Sequence, residues 1–368
     1  MSGASMRQAL IRALRVGSLK QAGRTAVAAV LTQIVVTLLG LTQGYWAVIT
    51  TVIVMQANLG GSIRAAWTRL AGTAVGAISG IVAGLIGGQS LFALGLAVLV
   101  TLSVCGLLPR LRDSSRVAGI TVVIVILAGH PAESPITLGL SRFTEISIGI
   151  ITALATSALV FPSRASAALG RGLSKVFEDV ASLFAVVVEG RLREDYPERH
   201  VFALKDRLVR TLNRCRQLRL EADIEGRRED AAIRDMLLVQ GARLFEHVLG
   251  LDHVASEARG GGLHRHLPEE LLALETATAA VLTSLAAHLR DASALPDLTT
   301  LDAAVAQARV KLAAMRKERA PAAYDLSEVM HFFSFIHGML ACAADARDIT
   351  SRLVALGREE VAPARGPW

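Results

Sequence analysis

Apolar residues form six runs within residues 1–162, and most of that region's charged residues lie before the first run or between the runs. A helix of about 20 apolar residues crosses the roughly 30 Å hydrocarbon core of a bilayer. The pattern therefore predicts a membrane protein with a basic N-terminal segment, residues 1–24, and a six-helix transmembrane domain, residues 25–162. The predicted helices occupy residues 25–42, 45–57, 66–87, 91–108, 117–129 and 140–161.

The second and fifth runs, at 45–57 and 117–129, are shorter than the others. About 13 helical residues span roughly 20 Å, which is too short to cross the hydrocarbon core. Short or broken helices at matching positions of two halves are typical of transporters built as inverted repeats, with a binding site near the bilayer midplane. The sequence thus predicts a three-plus-three inverted repeat. The alternative interpretation is that flanking residues extend both helices.

Residues 163–368 show a different pattern, in which apolar residues recur every three or four positions among polar ones. Leu204, Leu208, Leu212, Cys215 and Leu218 form one such stripe, which needs partner helices to cover it. Glycine and proline residues divide the region into about six segments. The predicted fold class is therefore all-α, with a helical domain at 163–357 and a disordered tail at 358–368.

Charge separates the two regions and orients the first. Residues 1–162 contain 11 Lys and Arg against three acids, whereas residues 163–368 contain 28 bases and 29 acids. The loops at 43–44, 88–90 and 130–137 carry no Lys or Arg. Because cytoplasmic loops retain positive charge, both termini and the helical domain are predicted to be cytoplasmic. The excess positive charge lies in the region predicted to cross the lipid bilayer, where cytoplasmic loops account for it. It therefore gives no support to nucleic acid as a partner.

Four glycines recur at four-residue spacing in the third predicted helix: Gly72, Gly76, Gly80 and Gly84. This spacing places small residues on one face and allows another helix to approach closely. We interpret them as helix-packing residues, either inside one protein chain or at a dimer interface.

Two segments of the membrane region carry a family resemblance. The first contains Tyr45-Trp46-Ala47 and Thr50 in a short apolar helix, then Arg69-Leu70-Ala71-Gly72-Thr73 in the next helix. The second contains Arg142, Glu145 and Gly149 in the sixth helix. These strings resemble the signature of the fusaric acid resistance protein-like, or aromatic acid exporter, family. The architecture of six spans and a helical domain is also similar to that of plant aluminium-activated malate transporters.

The resemblance implies export of organic anions, often aromatic carboxylates, across the bacterial inner membrane. No cofactor and no enzymatic activity are expected, because the sequence lacks catalytic motifs. Larger members of the family carry two sets of membrane spans in one polypeptide, so a chain with one set is expected to form a homodimer.

An anionic substrate that leaves the cytoplasm is expected to meet positive charge near the inner end of its path. Arg64 and Arg69 are the candidate substrate-binding arginines, although topology alone also explains basic residues there. Trp46 is a candidate for stacking on an aromatic substrate or for the interfacial belt of tryptophans. Further polar candidates could bind a carboxylate or cap a broken helix: Thr50, Thr51, Gln56 and Asn58.

Arg142 and Glu145 lie one helical turn apart in the sixth predicted helix. Ionisable residues in a transmembrane helix are functional candidates by default. Two interpretations remain open, a fixed ion pair and an outer gate or proton-linked carboxylate, with His130 as a second titrating group.

The sequence contains no phosphate-binding loop, no nucleophile motif and no paired histidines at helical ligand spacing. His264 and His266 lie in a glycine-rich linker and are interpreted as solvated residues rather than metal ligands. The leading prediction is therefore an exporter of organic acids. The alternatives are a channel-like anion pathway and a membrane scaffold or sensor that does not transport.

Overall fold

The protein, seen in a computed structural model, is helical throughout, and no strand occurs in the residues that the structure describes. These residues are 3–127, 134–160, 162–193, 195–226, 231–257, 262–318, 321 and 324–361, with side chains described within residues 19–356. The all-α prediction is confirmed for this part of the chain.

The chain divides into two compact units, Met1–Ala165 and Ser166–Trp368. The first unit contains α1 (Gly3–Leu38), α2 (Tyr45–Val54), α3 (Leu59–Gly87), α4 (Leu91–Leu107), α5 (Ser115–Leu127) and α6 (Pro135–Leu159). The second unit contains α7 (Ala165–Leu192), α8 (Glu198–Ile224), α9 (Ala231–Glu257), α10 (Pro268–Asp291), α11 (Thr299–Lys317) and α12 (Leu326–Val361).

Five helices of the described chain are long and apolar enough to cross a membrane. Three lie in the first unit and two in the second: Leu19–Leu38, Leu59–Gly87, Pro135–Leu159, Pro268–Asp291 and Leu326–Leu356. Tyr45–Val54 and Leu91–Leu107 are apolar but shorter. The chain thus has the helices of an integral membrane protein, while the count of six spans and the cytoplasmic position of the second unit stay predictions.

Several helix boundaries differ from the sequence prediction. Helix α1 begins at Gly3, within the segment predicted only as basic, and α6 begins at Pro135 instead of residue 140. Helix α3 begins at Leu59 because Asn58 Oδ1 accepts a hydrogen bond from the Gly61 backbone N–H at 2.7 Å, which caps the helix. Helix α12 extends to Val361, four residues into the predicted tail, and residues 362–368 lie outside the described residues.

Helix α2 ends at Val54, three residues before the predicted end, because the backbone becomes extended at Met55. Its 10 residues correspond to about 15 Å of helix. The carbonyl oxygens that the break releases have partners on α1: Gln21 Nε2 donates to Met55 O at 3.1 Å, and Arg24 Nη1 donates to Ala57 O at 3.4 Å. The break between α2 and α3 is therefore built into the fold.

Helix pairing in the first unit is the same for its two sets of three helices. Helix α1 packs on α2 and α4 packs on α5, while the long helices α3 and α6 pack on each other. Helix α6 packs on α2 and α1, and α3 packs on α5 and α4. Exchanging α1–α3 with α4–α6 maps each of these pairs onto another pair, which is the arrangement expected of two equivalent halves.

The glycine face of α3 packs inside the protein. A Cβ added at Gly72 would lie 2.6 Å from Val117 Cβ, and one added at Gly80 would lie 2.8 Å from Val125 Cβ. Gly84 faces Pro135 at the start of α6. The four glycines thus allow α3 to lie directly against α5 and α6.

The second unit buries the apolar stripes of its six helices, including Leu208 and Cys215 of α8. Phe177 and Phe184 of α7 are fully buried in this core. The buried carboxylate of Asp252 accepts hydrogen bonds from Tyr196 and Lys205. These interactions stabilise the bundle and leave its buried charges compensated.

Replacing Gly76 with Ala is expected to destabilise the protein. The new Cβ would meet the Ala118 carbonyl oxygen and lie 2.7 Å from Thr121 Cβ, so α3 and α5 must separate. Overpacking of this kind costs about 1 to 3 kcal/mol, more than the roughly 1 kcal/mol gained by removing a helical glycine. Thermal unfolding in detergent measures the difference. Gly95→Ala is the control, because nothing lies within 4 Å of its added Cβ. Equal melting temperatures for both variants would contradict the packing role.

Candidate functional site

A buried ion pair lies on α6, where Arg142 and Glu145 are separated by one helical turn. Arg142 Nη1 lies 3.0 Å from Glu145 Oε2, and the two side chains are only 1% and 4% exposed. Burial of both charges in an apolar helix is costly unless their hydrogen bonds are satisfied. The surroundings of this pair therefore decide whether it is only structural.

Trp46 of α2 lies beside the pair, with its ring centroid 5.2 Å from Arg142 Cζ. A guanidinium over an indole ring is attracted by the ring's negative face. Tyr45 extends the aromatic surface, with its ring centroid 5.5 Å from that of Trp46. Trp46 and Arg142 were predicted in separate roles, and the structure brings them together.

The hydrogen bonds of this cluster are incomplete. None of the three guanidinium nitrogens of Arg142 has a hydrogen-bond partner among the described residues, and Glu145 Oε2 also has none. The hydroxyl of Thr50, fully buried on α2, is equally without a partner there. We call Trp46, Arg142 and Glu145, together with Thr50 one helical turn after Trp46 on α2, the buried arginine site. It offers several N–H and O–H donors, a single poorly aligned carboxylate and an aromatic ring, which suits a planar carboxylate ligand.

Close backbone contact between α2 and α6 positions this site. A Cβ added at Gly149 would meet the Ala47 carbonyl oxygen and lie 3.0 Å from Thr50 Cβ, so only glycine permits this approach. Thr51 Oγ lies 3.0 Å from the Gly149 carbonyl oxygen and 2.7 Å from Thr32 Oγ of α1. Thr51 therefore joins α1, α2 and α6, whereas the neighbouring Thr50 hydroxyl has no hydrogen-bond partner among the described residues.

Arg69 of α3 is a second buried arginine. It is 7% exposed, and its Nε has no hydrogen-bond partner in the described part of the chain. No ion pair joins its guanidinium to a carboxylate among those residues. A cation buried to this extent without a counter-charge among the described residues is costly.

Arg64, the other predicted substrate-binding arginine, has a different environment. Its side chain is 48% exposed, and its Nη2 lies 3.0 Å from Oδ2 of Asp113, which is 66% exposed. Asp113 belongs to the short turn before α5. An exposed pair of this type contributes little to stability. The structure thus places Arg64 in an exposed contact between α3 and the turn before α5, and Arg69 in the interior.

The remaining predicted polar residues lie at helix ends. Gln56 is exposed and donates from Nε2 to the Ile53 carbonyl oxygen at 2.9 Å, and Asn58 caps α3. These geometries favour the capping interpretation for both. His130 lies outside the described residues.

Arg24 is a buried polar residue that sequence reasoning assigned only to topology. It is 4% exposed, and its Nη2 donates to the Ser157 carbonyl oxygen at 3.2 Å and to Ser157 Oγ at 3.0 Å. The available signal was the four-residue spacing of Arg24, Ala28 and Thr32, which places polar and small residues on one face of α1. Arg24 holds α1, α6 and the α2–α3 break together.

Metal binding receives no support in the part of the chain that the structure describes. No group of three or more His, Cys, Asp and Glu side chains could hold an ion there. Cys105, Cys215 and Cys342 are free and buried.

Comparison with known proteins identifies one family. The model of the fusaric acid resistance protein family matches residues 18–365. No curated protein matches the chain. The family match spans both compact units, although the motifs that resemble the family signature all lie in the first.

Replacing Glu145 with Gln is expected to destabilise the protein strongly, because Arg142 then stays buried without a carboxylate. Breaking a buried pair costs about 3 to 5 kcal/mol, whereas exposed pairs contribute about 1 kcal/mol or less. Asp113→Asn, which breaks the exposed pair with Arg64, is the matched control. The measurement is thermal unfolding of both variants in detergent. If Glu145→Gln and Asp113→Asn melt alike, Glu145 does not compensate Arg142.

Proposed function

The chain belongs to the fusaric acid resistance protein family, a family of membrane transport proteins, and we propose that it exports organic carboxylate anions, aromatic ones in particular. The substrate leaves the cytoplasm across a bacterial inner membrane. The family supports transport as the general activity, and the buried arginine site supports the class of substrate.

The proposal rests on the burial of the Arg142 guanidinium without hydrogen-bond partners among the described residues. The guanidinium is fully buried and faces Trp46. A carboxylate would accept two parallel N–H bonds from this planar group, and an aromatic acid would also stack on the indole. Binding of such an anion supplies the acceptors that the folded protein lacks.

The proposed topology has six spans with both termini in the cytoplasm. The short helices α2 and α5 cross together with the segments that flank them. The break after Val54 lies beside Gln21 and Arg24, at the cytoplasmic end of the first span. In the second unit, α10 and α12 bury their apolar faces in the bundle, for example at Leu274, Leu282 and Ile336. This burial supports a cytoplasmic bundle in spite of their length and composition.

The proposed oligomer is a homodimer. Larger members of the family carry two sets of membrane spans, whereas this chain carries one. Two copies of the chain would supply both sets. The second unit then lies on the cytoplasmic side of each protomer, and no cofactor is needed for passive or proton-linked transport of an anion.

Cysteines introduced at Gln89 and Ser256 are expected to be labelled from opposite sides of the membrane. Gln89 follows α3 at the side without basic residues, and Ser256 is exposed on α9. The native cysteines are buried, and burial raises the pKa of Cys215 to about 11, so background labelling stays low. The measurement is labelling of intact cells with a membrane-impermeant maleimide, before and after permeabilisation. Labelling of both positions from the same side would exclude the topology.

Transport by the reconstituted protein is expected to depend on the charge and shape of Arg142. Fusaric acid, benzoate and succinate serve as labelled substrates in proteoliposomes. Arg142→Lys keeps the charge but loses the planar fork, so we expect about tenfold weaker apparent affinity for aromatic acids. Arg142→Gln combined with Glu145→Gln removes both charges without leaving either one buried alone, and it should abolish saturable transport.

Arg64→Gln is the control for the transport measurement, because its side chain is exposed and pairs with Asp113. It should transport at the wild-type rate. Saturable transport that survives loss of both buried charges would contradict the proposed site. Flux that follows the membrane potential and does not saturate would indicate the channel-like pathway, and absence of flux for all three acids would reject transport of carboxylates.

A further inference from the structure

The two short helices of the first unit share a sequence. Residues 47–54 of α2 read AVITTVIV and residues 118–125 of α5 read AGITVVIV, with six of eight positions identical. The shared residues occupy the same place in the packing. Ala47 O and Thr50 Cβ contact Gly149 of α6, whereas Ala118 O and Thr121 Cβ contact Gly76 of α3. The equivalence of the two halves is therefore visible in both sequence and contacts.

Matching glycines on the long helices identify matching arginines. Arg142 lies seven residues before Gly149, and Arg69 lies seven residues before Gly76. Both arginines are more than nine-tenths buried. Seven residues correspond to two helical turns, so each arginine lies on the same face of its helix as its glycine. Arg69 is thus the counterpart of Arg142 in the other half.

The two positions differ in their counter-charge. Three residues after Arg142 comes Glu145, whereas three residues after Arg69 comes Gly72, which faces Val117. Only two acids of the first unit lie within the described residues: Glu145, paired with Arg142, and Asp113, paired with Arg64. The charge of Arg69 is consequently uncompensated by any described carboxylate, although more than nine-tenths of the residue is buried.

We propose that Arg69 is a second anion-binding site, which takes the carboxylate of the same substrate on the cytoplasmic side. The proposal rests on the proposed function and names an additional site for it. In the topology above, Arg69 lies in the inner half of α3 and Arg142 in the outer half of α6, so a transported anion meets them in turn. At Arg142 the anion competes with Glu145, whereas no described acid pairs with Arg69. Arg69 therefore binds the anion more tightly, and Arg142 favours its release outside.

Titration of the purified full-length protein with benzoate tests this assignment. In a neutral detergent, calorimetry on the wild type is expected to resolve a tighter and a weaker class of site. Arg69→Gln should remove the tighter class, which lowers affinity about tenfold or more, and Arg69→Lys should be intermediate because it keeps charge without the fork. Arg64→Gln should bind as the wild type does. Size-exclusion chromatography and the melting temperature establish that each variant is folded.

Two results would overturn the second site. In the first, Arg69→Gln binds benzoate as the wild type does, while the double variant of Arg142 and Glu145 loses binding, which leaves the proposed function intact. In the second, Arg69→Gln binds benzoate as the wild type does, but phosphatidylglycerol stabilises the wild type and not the variant. This result would assign Arg69 to the phosphate of a lipid. A wild type that binds neither benzoate nor fusaric acid contradicts the proposed function as well.

Discussion

The close approach of a glycine on a long helix to the backbone of a short helix is the contact on which the first unit depends. Gly76 meets Ala118 in one half, and Gly149 meets Ala47 in the other. No side chain larger than hydrogen fits at either glycine, so the short helices lie against the long ones in a fixed register. Because an arginine lies two turns before each glycine, the same contact also determines where Arg69 and Arg142 are buried.

Buried arginines are costly in an apolar environment, and the first unit compensates three of them to different degrees. Arg24 donates to the Ser157 and Ala57 carbonyl oxygens and closes the break after α2. Arg142 has Glu145 and the face of Trp46 but no hydrogen bond within the described chain. Arg69 lacks even a carboxylate there. In contrast, buried acids of the second unit, such as Asp252, have bonded partners. This difference supports a binding role for the first unit and a structural role for the charges of the second.

Hydrophobic periodicity predicted the helices well because each helix must bury or expose a whole face, which leaves a repeat in the sequence. Boundaries were less accurate where a cap or a backbone break decides the end, as at Asn58 and Met55. Arg64 and Arg69 could not be distinguished from sequence, because both are basic residues near the same predicted loop and only burial separates them. The contact of Trp46 with Arg142 joins residues far apart in the chain. The sequence contained two signals for the equivalence of the halves: the short apolar runs at 45–57 and 117–129, and the repeat of residues 47–54 at 118–125.

The central claim is that a carboxylate anion binds to a buried guanidinium of the first unit. A crystal structure of the protein with 4-bromobenzoate tests it most directly, because bromine gives an anomalous signal that locates the ligand independently of its density. We expect bromine peaks inside the first unit, with each carboxylate within hydrogen-bond distance of Arg142 or Arg69. The bromophenyl ring of the ligand at Arg142 should lie against Trp46. Bound 4-bromobenzoate whose carboxylate contacts neither arginine would contradict it.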